Sequence, residues 1–191
     1  MSHTAHYWAV PAVLAAASVV HLSRVHAPAA FSGSLVGFGA LAGVILWMEY
    51  ATVDGDEPSY ARVRWMLSAL VYLAALAAFS TTANAEISHT HAAILCGLAS
   101  ALLAVDLLRQ PSRTPDVVAL HVLAVGVVVG LAADRLLLWG IQPTRTALIL
   151  LLLLYVLTGT LQHQLRERVS WWVRVEYFAL LALGTWALLR W

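Results

Sequence analysis

Charged side chains punctuate this chain at long intervals, and the stretches between them are apolar on every side. None falls between Arg24 and Glu49, between Arg64 and Glu86, or between Arg145 and Arg166. A helix crossing roughly 30 Å of hydrocarbon needs about 20 predominantly apolar residues, and these runs supply them. Asp116 and Asp134 bracket a fourth run; those from His91 to Asp106 and from Glu176 to Arg190 are shorter and use their charged flanks to reach the interfaces. The pattern predicts helices over 7–24, 33–52, 61–83, 88–108, 117–138, 145–164 and 171–190. A barrel would need short alternating segments instead. The expected fold is all-α: a polytopic membrane bundle of seven transmembrane helices forming a single transmembrane domain over residues 1–191.

The first span is the one with a rival explanation. It contains Pro11, it ends at His21 and Arg24, and Ala27-Pro28-Ala29 has some likeness to a signal-peptidase site. A secretory signal begins with a positively charged region, which Met1 to Trp8 lacks, so a retained span is expected; its loss would leave six helices.

Arginine placement sets the expected orientation. Arg62, Arg64, Arg109, Arg113, Arg166, Arg168 and Arg174 fall on the face that carries the amino terminus, against Arg24, Arg135, Arg145 and Arg190 on the other. The excess of positive charge belongs inside, which puts the amino terminus in the cytoplasm and the carboxy terminus in the periplasm of a bacterial inner-membrane protein. Trp8, Trp47, Tyr50, Trp65, Trp171 and Trp172 then form the inner aromatic belt, with Trp139, Trp186 and Trp191 in the outer one.

Composition excludes more than it suggests. The net charge is +1, which offers no basic footprint for nucleic acid. Every basic residue is arginine, so a retinal Schiff base, which requires lysine, is excluded by chemistry. The single Cys96 lies inside an apolar helix, ruling out an intrachain disulfide or a multi-cysteine metal cluster. There is no Gly-rich phosphate loop, no His-Glu-x-x-His and no Gly-x-Ser-x-Gly elbow, and no catalytic residue is assigned.

Two groups of polar residues carry the candidate chemistry. Glu49, Arg64, Asp106, His121, His163 and Glu176 sit on six different predicted helices, each within about one to two turns of the inner boundary. Charges at that depth should point into the bundle and pair, or reach the headgroups. The available pairs are Asp106 with Arg109, Arg64 with Glu49, and Arg62 or Arg174 with Glu176. The favoured reading is a ring of helix-end ion pairs that fixes register. The functional alternative is a proton or ion pathway, or a haem held by His121 and His163 as axial ligands from consecutive helices. At the opposite face, His21, His26, Glu86, His89 and His91 cluster in the connections and form a candidate zinc or copper set; exposed loop histidines without a ligand are the simpler explanation. No cofactor is required by the sequence.

Small residues mark close helix contacts. Gly33, Gly37 and Ala40 share one face of the second span, with Gly39 and Gly43 beside it, and Gly126 and Gly130 are spaced for a seam on the fifth. Either seam suits a partner subunit or a neighbour in the same chain. Leu148 to Leu154, apolar all round, suits a helix facing lipid or a partner. No span is broken mid-membrane by a Gly-Pro pair, as small transporters often are.

Glu49-Tyr50-Ala51-Thr52-Val53-Asp54, Tyr72-Leu73-Ala74-Ala75 and Glu176-Tyr177 together resemble a bacterial family of small multi-span membrane proteins of unknown function. The resemblance implies the helix count and no activity. The functional expectation is a non-catalytic accessory or scaffold subunit of a larger bacterial membrane complex, respiratory or photosynthetic, whose partners are other membrane subunits and lipid. The alternatives are a haem- or metal-binding redox membrane protein and, third, a small transporter.

Overall fold

The computed structural model describes residues 9–51, 60–85, 87–108, 115–165 and 171–190, and these are helical except for the connections. The elements in chain order are α1 (Ala9–Leu22), α2 (Pro28–Ala51), α3 (Tyr60–Ala83), α4 (His89–Leu107), α5 (Pro115–Leu138), α6 (Pro143–Leu165) and α7 (Trp171–Arg190). Among the described residues, five contain a segment long and apolar enough to cross a membrane: Pro28–Met48, Trp65–Ala83, His89–Leu107, Val117–Leu138 and Pro143–Gln164.

Local chemistry explains the helix ends. Proline opens α2, α5 and α6, where its fixed φ suits the first turn and its missing N–H would be unbonded anyway. The amides of Phe31 and Thr146 accordingly donate to the carbonyls of Ala27 and Gln142, the residues just before Pro28 and Pro143 (2.9 Å each). Helices α2, α5 and α6 therefore begin a few residues earlier than hydropathy alone predicts. Helix α5 ends in a left-handed cap: Gly140 has φ +67°, its N–H donates to the Leu137 carbonyl (3.0 Å), and the Ile141 N–H reaches back to Leu136 (3.2 Å). That cap and Pro143 turn the chain from α5 into α6 within four residues, Trp139 to Gln142.

Helix α6 is central, packed against α3, α4, α5 and α7. Ala147, Leu150 and Leu154 are fully buried on it, so the Leu148–Leu154 run is apolar all round because helices of this same chain surround it. Helix α1 packs against α2, α3 and α4 and buries Val10, Val13, Leu14 and Ala17 in the same continuous core as Phe79, Leu103 and Val129. The first helix is thus part of the bundle.

The closest approach joins α4 and α5. A Cβ placed on Gly97 would lie 2.8 Å from the Gly126 carbonyl oxygen, one on Gly126 2.9 Å from the Gly97 oxygen, and one on Gly130 3.2 Å from the Ala93 oxygen. The Gly126-Gly130 seam is therefore filled from within: its partner is the Ala93-Gly97-Ala101 face of α4. Helix α2 is the opposite case. Only 6% of its span is buried inside the molecule, and Cβ atoms on Gly33, Gly37, Gly39 or Gly43 would meet nothing within 4 Å.

Candidate functional site

Two of the histidines at the α1–α2 and α3–α4 connections, His21 and His91, hold contacts within the fold. The His21 ring shares a hydrogen bond with Ser34 Oγ (3.3 Å) and tilts against Phe38 (5.6 Å between centroids), pinning α1 to α2. Ser88 caps α4: its Oγ accepts from the His91 backbone N–H (3.4 Å) and pairs with His91 Nδ1 (2.6 Å). The Arg24 guanidinium donates to the Asn84 carbonyl, tying the two connections together. His26 and His89 are exposed, and Glu86 lies outside the described residues. Among the described residues no three His, Cys, Asp or Glu side chains gather where a metal would need them.

At the other end, Asp106 is buried (2% exposed) on the last turn of α4 and engaged by a neighbouring group. Glu176 is exposed on α7. The side chains of Glu49, Arg62, Arg64 and Arg174, and all of Arg109, lie outside the described residues. His121 hydrogen-bonds through Nδ1 to the Val117 carbonyl one turn back (2.6 Å), and His163 lies beside Tyr177 with ring centroids 6.1 Å apart. The contacts of the two imidazoles thus run to different partners, His121 within α5 and His163 across to α7.

What the fold does bring together is a set of phenols. Tyr72 of α3, Tyr155 of α6 and Tyr177 of α7 meet ring to ring, Tyr72–Tyr155 in a T-shaped contact with centroids 5.6 Å apart and Tyr155–Tyr177 tilted with centroids 5.9 Å apart. Gly159 admits the third: the ring and hydroxyl of Tyr177 lie 2.8 Å from where a Cβ would stand, so only glycine lets α7 lay this side chain on α6. The hydroxyl of Tyr72 hydrogen-bonds Thr158 Oγ1 (2.9 Å), and Thr158 donates its own proton to the Leu154 carbonyl (2.7 Å). A threonine hydroxyl has one proton, so Tyr72 is the donor in the first bond. One turn further along α6, Gln162 Nε2 donates to the carbonyl of Leu107 (2.7 Å), occupying an acceptor that the end of α4 leaves without a helical partner.

Sequence alone does not bring these tyrosines together, because tyrosine is expected at membrane interfaces and the charges near the helix ends carry the stronger polar signal. A signal was present: Tyr72 and Tyr155 sit mid-helix, twelve residues from the first residue of α3 and of α6 (72 − 60; 155 − 143), where a phenol needs a polar partner.

The described residues form an all-helical protein with membrane-length helices, in which three tyrosines from α3, α6 and α7 meet. The chain belongs to the family described as Protein of unknown function (DUF5656), whose model matches residues 1–191. No curated protein and no solved structure matches it.

Proposed function

We propose that this chain is a seven-span protein of the bacterial inner membrane, amino terminus inside, that serves as a non-catalytic accessory subunit of a larger membrane assembly and docks through α2. The carrying observation is the glycine face of that helix. A lipid-facing helix gains nothing from glycine, which packs poorly and lowers helix propensity. Glycine on a membrane helix is useful where another backbone must come close. On α5 that neighbour is α4; on α2 the described residues supply none at Gly33, Gly37, Gly39 and Gly43.

The test is extraction in mild detergent followed by native electrophoresis. The chain is expected in a larger complex, and Gly37→Leu is expected to release it while helicity and thermal midpoint stay at wild-type values. Recovery of the wild type as a monodisperse monomer would refute the assignment.

A second reading, a haem- or metal-binding redox protein, draws support from His121. Donation from Nδ1 to a backbone carbonyl leaves Nε2 as the free acceptor, the way ligating imidazoles are commonly oriented. An absorption spectrum and metal analysis of the purified protein separate the two readings.

A further inference from the structure

Helix α5 has two unlike faces. One buries Val125, Val129 and Ala133 in the core, and the other forms with α4 an open groove of about 550 Å³, lined by residues of these two helices alone. Residues four apart stand one above the other on a helix, so the sequence lays the groove out as ridges. The floor ridge of α5 runs Gly126, Gly130, Asp134, and its rim ridge runs Leu123, Val127, Leu131, Arg135. The three apolar rim residues are each more than half exposed, as are Ile94 and Leu98, which form the opposite rim on α4.

Both α5 ridges end in a charge, and the two charges are opposite. Asp134 lines the groove, while Arg135 is exposed one turn beyond Leu131 on the rim. Adjacent residues on a helix do not face each other, and neither side chain has a hydrogen bond or ion pair with another described residue. Asp134 therefore calls for a ridge of apolar side chains that ends in a base at its own level. The rim ridge of a second copy is such a surface. Its Leu123, Val127 and Leu131 find room over the glycine floor, as ridges of one helix enter the grooves of another, and its Arg135 stands only about 1.5 Å further along the axis than Asp134. Copies in one membrane share their orientation and meet at equal height. A twofold axis along the membrane normal then makes the contact reciprocal, because Arg135 of each copy reaches Asp134 of the other. A phospholipid suits the groove less well, since Asp134 repels its phosphate.

We propose that two copies of this chain associate through the α4–α5 groove, the rim ridge of each α5 entering the groove of the other and two reciprocal Asp134–Arg135 pairs fixing the register. The proposal rests on the helices spanning a membrane. It is separate from docking through α2, which contributes nothing to the groove.

The test counts fluorescently labelled full chains by single-molecule photobleaching in liposomes of falling protein-to-lipid ratio. The wild type is expected as dimers that separate reversibly on dilution. Asp134→Arg and Arg135→Asp should each weaken association about tenfold, because like charges then face one another across the twofold axis. The double variant carrying both changes should recover the wild-type affinity, since the reciprocal pairs re-form with their signs exchanged. Val127→Trp, too large for the facing groove, should give monomers with the thermal midpoint unchanged, and Gly37→Leu should leave the dimer intact. Wild-type chains that stay monomeric at every ratio, single reversals with wild-type affinity, or a double variant no better than the singles each overturns the proposal. If a charge reversal fails to insert, Val127→Trp decides, and a dimer of wild-type affinity there overturns it. Loss of the dimer in Gly37→Leu would move the interface to α2 and equally overturn it.

Discussion

The phenol of Tyr177 occupies the space that a side chain on Gly159 would need. Three of its atoms, Cε1, Cζ and the hydroxyl oxygen, stand 2.8 Å from the position of a Cβ on that glycine. Because α7 packs chiefly on α6, this pairing sets how the last helix joins the bundle. Gly159→Ala gains up to about 1 kcal/mol of helix propensity. It also forces the ring off α6, at roughly 1–3 kcal/mol for overpacking. The second effect is the larger, and a lower thermal midpoint in detergent is expected. Tyr177→Ala in the Gly159→Ala background should recover part of the loss, a coupling that a double-mutant cycle measures. Additive losses would show that the two residues do not share this contact.

The α4–α5 seam gives a graded expectation. At Gly97 and Gly126 an added methyl would meet a backbone oxygen at 2.8 and 2.9 Å, whereas at Gly130 the nearest atom is 3.2 Å away. Backbone cannot swing aside as a long side chain can. Alanine at Gly97 or Gly126 should therefore cost more, about 1–3 kcal/mol, than alanine at Gly130. Leucine at Gly130 should destabilise the bundle itself, while Gly37→Leu on α2, with nothing within 4 Å, should not. Unfolding in a denaturing-detergent titration ranks the four variants, and an equal loss at Gly37 would contradict the exposed placement of α2.

These differences mark where sequence reasoning reached its limit. Hydropathy identified the helices because lipid demands long apolar runs whatever their neighbours are. It does not say which helix faces which. Gly126 and Gly37 carry the same local signal, and only the fold shows that the first meets Gly97 and the second meets open space. Leu150 and Leu154 fit a helix facing lipid or a partner on hydropathy, yet they are fully buried within the chain, because lipid and a packed bundle are both apolar and leave the same pattern. The phenol cluster was legible only in part, since Tyr72, Tyr155 and Tyr177 lie on three helices and no spacing along the chain links them. Helix ends were missed by a few residues where proline chemistry, rather than hydropathy, sets the boundary.

Orientation provides a prediction that rests on arginine alone. Reporter fusions after Arg113 and Arg168 are expected to read cytoplasmic, and one after Trp191 periplasmic. A cytoplasmic carboxy terminus would overturn either the orientation or the count of seven spans.

Leu14 offers the last prediction, because it tests whether α1 belongs to the bundle as its packing indicates. The side chain is 1% exposed and lies in the core with Val10 and Phe79, while Val19 on the same helix is 68% exposed. In a water-soluble core, Leu→Ala costs about 2–5 kcal/mol, made up of lost transfer energy and an unfilled cavity. Inside a membrane the transfer part largely vanishes, since acyl chains are as apolar as leucine. What is left is lost packing around the cavity, so Leu14→Ala is expected at about 2 kcal/mol, the low end of that range. Val19→Ala should stay within about 0.5 kcal/mol, as exposed substitutions usually do. Thermal unfolding of the two variants in the same detergent makes the comparison. If Leu14→Ala is as harmless as Val19→Ala, α1 is an appendage whose removal the remaining helices would tolerate. A clear difference makes the first helix a working part of the core, and with it the bundle of seven.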